Sequence, residues 1–283
     1  SSAASDVYKR QILKDPIGVP TVVSFWPHPR EVLFEESRLR LDLPNEKTFL
    51  LEPLGIEQLV LVPFNKNLAS KSAETFVEEV LAKTLHAKHI AVGENFRFGR
   101  NREGDTSTLK KIGTSLGIKI SIVPIVEDNH GRLSSSRVRK ALNDGDLKHA
   151  KYLLKRPYTF RGTVEKGRGL GKKIGWPTAN LKIDGRKFLP SLGVYAAWAS
   201  IANKKERFLA VMNMGPQPTI DPNSLSAVEV HLLDKEINLL GHELIIEPVQ
   251  RIRLQKKFDN IAALSKQISS DAKLAKEILT QKL

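Results

Sequence analysis

The sequence contains no cysteine, which excludes a disulfide framework and any thiolate metal site. No apolar run reaches the roughly 20 residues that a membrane-spanning helix needs, and no secretory signal pattern opens the chain. Acidic residues are in deficit: 45 Lys and Arg stand against 31 Asp and Glu, for a net charge of +14. The basic residues are spread along the chain, not blocked into a tail. The stripe of exposed aromatic and basic residues that single-strand readers use is also absent. These absences favour a basic cytoplasmic enzyme that handles phosphates and small molecules, with no nucleic acid and no membrane as partner. A basic nucleic-acid-binding protein is the rival reading, because phosphate sites and positive charge would serve it too. The oligomeric state is left open.

A length of 283 residues corresponds to about two domains. Residues 1–11 show neither hydrophobic period nor turn grammar and read as a non-native leader. Short apolar runs at 21–25, 56–63, 89–92 and 118–126 read as strands. Helices fall between them. Asn45 caps one that stops at Gly55, and Ser72 caps one carrying Phe76, Val77, Val80 and Leu81. Leu109, Ile112 and Leu116 mark a third, and Ser134 and Asp146 open two more. This alternation predicts an α/β domain over 12–156, a doubly wound parallel sheet with ligand chemistry at the carboxyl ends of its strands. After Pro157 the grammar changes. Runs at 158–164, 178–183, 193–202, 207–214, 228–233 and 243–253 read as strands joined by Gly, Pro and Asn turns. They predict a six-stranded antiparallel β-barrel over 157–283. Phe258, Ile261, Leu264 and Ile268 predict a closing helix with its apolar face on that barrel.

Five stretches carry candidate chemistry. The run from Gly171 through Lys172, Gly175, Trp176, Pro177, Thr178 and Asn180 suits a loop where backbone approaches phosphate closely. Thr178 and Asn180 alternate onto one face, where a hydroxyl and an amide oxygen are hard ligands for Mg²⁺. By spacing alone the same run is a solvated hairpin. Glu229 and His231 share one face of a strand, with Val228, Val230 and Leu232 on the other; by alternation alone that is an outward polar face. Ser134, Ser135 and Ser136 open a helix whose N-terminus favours anions, and Arg139 follows. The plain alternative is a serine cap with solvated arginines. Asn95, Arg97 and Arg102 sit in a glycine-bounded loop that Phe96 and Phe98 would also hold as simple surface structure. His28 follows a strand, a place where a lone histidine is more often structural.

The 171–181 run resembles the Gly-Phe-Pro-Thr-Ala-Asn motif of riboflavin kinases, with Trp176 as the aromatic residue. Gly167-Arg168-Gly169 resembles the phosphate loop of that family, and residues 228–232 resemble its Glu-x-His segment. Arg253 to Phe258 is similar to a further kinase stretch, with Gln255 where glutamate is common. Residues 134–139 resemble the Ile-Ser-Ser-Thr-x-x-Arg motif of FAD synthetase-type nucleotidylyltransferases. Residues 93–104 resemble a second motif of theirs, with Asn95 where aspartate is usual, and residues 27–29 resemble their Pro-His-Pro element. From about Pro20 onward, therefore, the chain resembles the prokaryotic bifunctional riboflavin kinase/FMN adenylyltransferases. The resemblance implies that Glu229 is a general base, with Thr178 and Asn180 holding Mg²⁺. It implies that Gly167, Gly169, Gly171, Lys172, Gly175 and Pro177 surround the ATP phosphates, and that Arg253 and Phe258 meet riboflavin. It implies that His28, Asn95, Arg97, Arg102, Ser134, Ser135, Ser136 and Arg139 serve ATP and FMN in adenylylation. Nothing in residues 1–20 resembles the family's Gly-x-Phe-Asp-Gly-x-His-x-Gly-His loop. The expectation is riboflavin kinase and FMN adenylyltransferase together, in a first domain without its first strand and that loop, with the second activity exposed to loss through that truncation. A monofunctional kinase with a scaffold first domain is the alternative.

Overall fold

The computed structural model describes residues 18–36, 39–167, 171, 175–215, 228–235 and 237–281. The leader read at residues 1–11 lies outside them, as do Arg168, Gly169 and Lys172. The chain forms two compact units. One comprises residues 1–38 and 44–133, the other residues 39–43 and 134–283.

In the first unit, β1 (Thr21–Trp26) pairs in parallel with β2 (Gln58–Pro63), and β3 (His89–Gly93) pairs in parallel with β4 (Lys119–Val123). Helices intervene, as the alternation predicts. They are α1 (Pro29–Phe34), α2 (Pro44–Leu51), α3 (Lys66–Ser70), α4 (Ala73–Thr75) and α5 (Thr106–Ser115). Beyond Thr75, α4 runs on as a π-helix over Phe76–Thr84. Phe76, Val77, Leu81, Phe98 and Leu109 are buried together, with Phe25, Ile90 and Ile120 from three of the strands packed against them. The Asn95 loop belongs to this core through Phe98, which stacks on Phe96 at 5.4 Å. A short hairpin of β5 (Glu127–Asp128) and β6 (Gly131–Arg132) was not legible, because its strands are too short to show alternation.

The second unit holds the barrel. Its strands are β7 (Phe160–Glu165), β8 (Ala179–Lys182), β9 (Gly193–Ile201), β10 (Arg207–Met214), β11 (Val228–Leu232) and β12 (Glu243–Arg253). They close in the order β10-β11-β8-β7-β12-β9, every recorded pair antiparallel. Val228, Val230 and Leu232 are buried, and Glu229 and His231 take the opposite, less buried face, as strand alternation requires.

Residues 134–154 also pack in this unit, ahead of the division at Arg156 read from the sequence. The reason is apolar. Helices α6 (Ser135–Asp144) and α7 (Leu147–Leu154) bury Val138, Ala141, Leu142, Ala150, Leu153 and Leu154 there. Arg251 of β12 then donates to the Asp144 carbonyl at 2.9 Å, placing a cation at the C-terminus of α6. Residues 39–43 join them. The buried Lys187 ammonium donates to the Leu41 carbonyl at 2.6 Å, and buried Asp42 pairs with Arg156 at 2.7 Å.

The closing helix α8 (Ile261–Thr280) is capped by Asn260, whose side chain accepts from the Ala263 N–H at 2.8 Å. Its two halves do different work. Ala272, Ala275 and Leu279 pack on Val194, Ala196, Trp198 and Val211 of the barrel. Ile261, Leu264 and Ile268, expected from the sequence to lie on the barrel, instead wall a cavity, and Phe258 precedes the helix. Between the halves, Asp271 is 3 % exposed and takes the Arg253 guanidinium at 2.7–3.1 Å. Gln267 adds a bond to the same carboxylate at 2.9 Å. Removing one partner of a buried pair leaves the other charged and unsolvated. Asp271→Ala is therefore expected to cost about 3 kcal/mol. Urea unfolding followed by tryptophan fluorescence checks this, and an unchanged midpoint would show that the pair carries no net stability.

Candidate active site

Direct antiparallel partners share a face of the sheet, with Cβ atoms about 5 Å apart. One such row runs round the barrel. Arg253 is opposite Val194, Val194 opposite Asn213, Asn213 opposite Glu229, Glu229 opposite Asn180, and Asn180 opposite Glu165. All six residues line one cavity of about 930 Å³ on the outer face of the barrel. Four of the row carry polar side chains between Asn213 and Glu165, and Val194 begins the apolar floor that continues under α8. The cavity is therefore polar along the strands and apolar along Phe258, Ile261, Leu264 and Ile268.

The glycines read as phosphate-loop residues approach this row closely. A Cβ on Gly167 would stand 1.9 Å from Asn180 Nδ2, and a Cβ on Gly171 2.2 Å from the Trp176 carbonyl oxygen. Neither contact leaves room for a side chain. Thr178 Oγ1 lies 3.2 Å from that same Gly171 Cβ position, so Gly167 backs Asn180 while Gly171 backs Thr178. Gly175 has φ +79°, which fits the turn ahead of Trp176 and Pro177.

Arg253, expected to meet the flavin, is held by Asp271 and donates to the Leu254 carbonyl at 3.0 Å, with its guanidinium 5.7 Å from the Phe258 ring. It braces the wall that carries Phe258. Gln255 donates to Asn213 Oδ1 and to the Met214 carbonyl, both at 3.0 Å. A glutamate there would bring no donor to either acceptor. Sequence reasoning missed Asp271 and gave no role to Gln255 or Asn213, which it met only within stretches similar to the kinases. Asp271 did leave a signal: it continues the apolar stripe of Leu264 and Ile268 at helical spacing, and a charge in such a stripe needs a buried partner.

The residues read for adenylylation fall in both units. In the first, His28 caps α1: its Nδ1 accepts from the Arg30 N–H at 3.1 Å, and Glu31 accepts from the His28 N–H at 2.9 Å. Asn95, with its amide turned to satisfy both groups, accepts from the Arg132 guanidinium at 2.6 Å. Arg97 stands 3.7 Å from Asp105, whose carboxyl is held below its usual range by the N–H and hydroxyl of Thr108. Arg102 has φ +61° in the turn that follows Gly99. In the second unit, Ser134 caps α6 by accepting from the Arg137 N–H at 3.4 Å, and Ser135 and Ser136 form the first turn. Arg139 donates to the Leu39 carbonyl at 3.3 Å and lies over the Phe188 ring at 5.8 Å.

Two family models match the chain. The riboflavin kinase family model matches residues 154–279, and the FAD synthetase family model matches residues 11–137. The class is thus a transferase enzyme with two catalytic domains. A bifunctional riboflavin kinase/FMN adenylyltransferase of Haemophilus influenzae is 34% identical over 93% of this chain and 85% of its own length. The Escherichia coli K12 protein of the same name is 35% identical over 90% of this chain and 81% of its own. The chain belongs to the bifunctional riboflavin kinase/FMN adenylyltransferase family. A crystal structure from Streptococcus pneumoniae, described as a macrolide-efflux protein, superposes with a TM-score of 0.83 at 30% identity, over 97% of this chain and 90% of that one. Among the described residues of this chain, no helix is long and apolar enough to cross a membrane.

Gly167→Ala is expected to push the Asn180 amide out of the row. Riboflavin kinase turnover should fall roughly 10- to 100-fold, while the melting temperature holds. Steady-state FMN formation and a thermal melt on the same sample check both halves of that expectation.

Proposed function

We propose that the cavity beside Glu229 is the riboflavin kinase site of the chain. The observation that carries this reading is the register row, which sets Glu229 directly beside Asn180 with Gly167 packed on the Asn180 amide. In the reaction, the ribityl 5′-hydroxyl of riboflavin attacks the γ-phosphorus of ATP. The new O–P bond forms as the bond to the β,γ-bridging oxygen breaks, and ADP leaves with that electron pair. Glu229 accepts the hydroxyl proton, so its role is general base. Phosphoryl transfer otherwise asks for position and charge stabilisation.

Thr178 and Asn180 offer a hydroxyl and an amide oxygen toward one cavity, a hard-donor set that fits Mg²⁺ carried on nucleotide phosphates. When bound, that ion neutralises charge on the phosphates. Gly167 packs on the Asn180 amide and Gly171 on the Trp176 carbonyl, and by motif both are assigned, with Gly169 and Lys172, to the loop around the ATP phosphates. The apolar wall of Phe258, Ile261, Leu264 and Ile268 suits the flat flavin ring, with Arg253 braced behind Phe258.

The family's second reaction joins FMN and ATP to give FAD and diphosphate. His28, Asn95, Arg97 and Arg102 in the first unit, and Ser134, Ser135, Ser136 and Arg139 in the second, are assigned to it by motif, each stretch by itself. The domain assignment that goes with this reading is 12–156 for adenylylation and 157–283 for the kinase.

Incubating the purified chain with riboflavin, ATP and Mg²⁺, then separating flavins by chromatography with fluorescence detection, tests both activities. FMN and FAD are both expected. Glu229→Gln should lower FMN formation roughly 100- to 10,000-fold and leave FAD formation from supplied FMN intact. Near-normal FMN formation by that variant would remove Glu229 from the base role. Asn180→Ala should raise the Mg²⁺ concentration needed for half-maximal FMN formation, and an unchanged titration would remove Asn180 as a ligand.

A further inference from the structure

The β11–β8 ladder pairs Val228 with Leu181, Glu229 with Asn180 and Val230 with Ala179, and there it ends. The next position along β11 is His231. Opposite it the chain turns through Trp176, Pro177 and Thr178, where Pro177 has no N–H to offer a ladder. A side chain takes over. His231 Nδ1 lies 2.7 Å from the Pro177 carbonyl oxygen. A carbonyl only accepts, so Nδ1 carries the hydrogen and donates. The same ring meets Trp176 edge-on, with centroids 5.0 Å apart and planes at 71°. The main-chain N–H of Trp176 in turn donates to the Gly171 carbonyl at 2.8 Å. One imidazole therefore grips two consecutive residues of the loop, immediately before Thr178.

We propose that His231 is a positioning residue of the kinase: it extends the hold of β11 past the end of the ladder and fixes Thr178 relative to Asn180 and Glu229. It lines the same cavity, and the role assigned to it is exerted through Pro177 and Trp176. Because Glu229 and His231 lie two residues apart on one strand face, the base and the anchor of the phosphate loop move together. The inference rests on the reading of Thr178 and Asn180 as the Mg-ATP side of the cavity.

The test uses the full chain and steady-state FMN formation. Asparagine places an amide N–H where Nδ1–H stands, whereas glutamine places it at the position of Nε2. His231→Gln is expected to raise the KM for Mg-ATP roughly three- to tenfold, with the KM for riboflavin and kcat moving less than about twofold. His231→Asn is expected to return the Mg-ATP KM to within about twofold of the parent value. His231→Phe keeps a ring against Trp176 but lacks the donor, and should behave as the glutamine variant does. Melting temperatures are read for all three. A normal Mg-ATP KM in His231→Gln, an asparagine variant no better than the glutamine one, or an equal rise in the riboflavin KM would each overturn the proposal. Asn180→Ala in the same assay separates the two readings. A normal Mg-ATP KM there sinks the ligand reading, whereas a raised one beside an unaffected His231→Gln sinks only the anchor.

Discussion

The Arg253–Asp271 ion pair holds the closing helix at the point where its two halves change role. C-terminal to Asp271, small residues let the helix lie close on the barrel through Ala272 and Ala275. N-terminal to it, larger residues stand as the wall of an open cavity. A helix with one continuous apolar stripe would gain most by lying flat along its whole length, because burial scales with apolar area. The buried carboxylate prevents this. It must keep its bonds to Arg253 and Gln267, and Arg253 is fixed at the end of β12. At this point of the helix a polar obligation stands where further apolar contact would otherwise be made.

That same constraint links the floor to the wall. Arg253 occupies the register row that also carries Asn213, Glu229 and Asn180, so the helix is tied to the row on which the proposed kinase site is built. Polar groups along the row are then ordered by their neighbours. The Met214 carbonyl can only accept, which fixes the Gln255 amide with its nitrogen inward. That in turn makes the Asn213 oxygen the acceptor and leaves the Asn213 nitrogen for the cavity side. No main-chain pairing sets these orientations; bonds from the Gln255 side chain, just past the end of β12, to Asn213 and Met214 of β10 do.

Much of the fold was legible because it follows from period and caps. Strands of period two gave the barrel and placed Glu229 and His231 on one face. Caps at Ser134, Asp146 and Gly117 gave helix ends close to those observed. In the 171–180 run the residue types were legible, and the structure brings Gly171, Thr178 and Asn180 to the lining of one cavity. What sequence could not give was the partner of each group. The apolar stripe of α8 looked like packing surface, since nothing local distinguishes a residue on the barrel from one facing a cavity. Residues 134–154 looked like part of the first domain because strand–helix alternation runs through them. Their buried faces, however, meet their partners in the second unit. His28 shows the reverse case: a residue singled out by motif is also a full capping box, a role its sequence spacing to Glu31 already allowed.

The placement of polar groups on the outer face of the barrel has a further physical consequence. A barrel this small fills its interior with side chains, here the buried Val228, Val230, Met212, Met214 and their neighbours, which leaves a ligand little room inside. Any site must be built outside, against a strand face that would otherwise be solvated. There, side chains would be free to wander unless other elements restrain them. Gly167 restrains Asn180 by contact, His231 restrains the Pro177 turn by a hydrogen bond, and Asp271 restrains Arg253 by charge. Each restraint comes from a different segment, and each acts on a neighbour of the reacting groups, not on Glu229 itself. On the proposed reading of Glu229 as the base, restraining its neighbours rather than its own carboxylate suits a group that must take up and release a proton in every turnover.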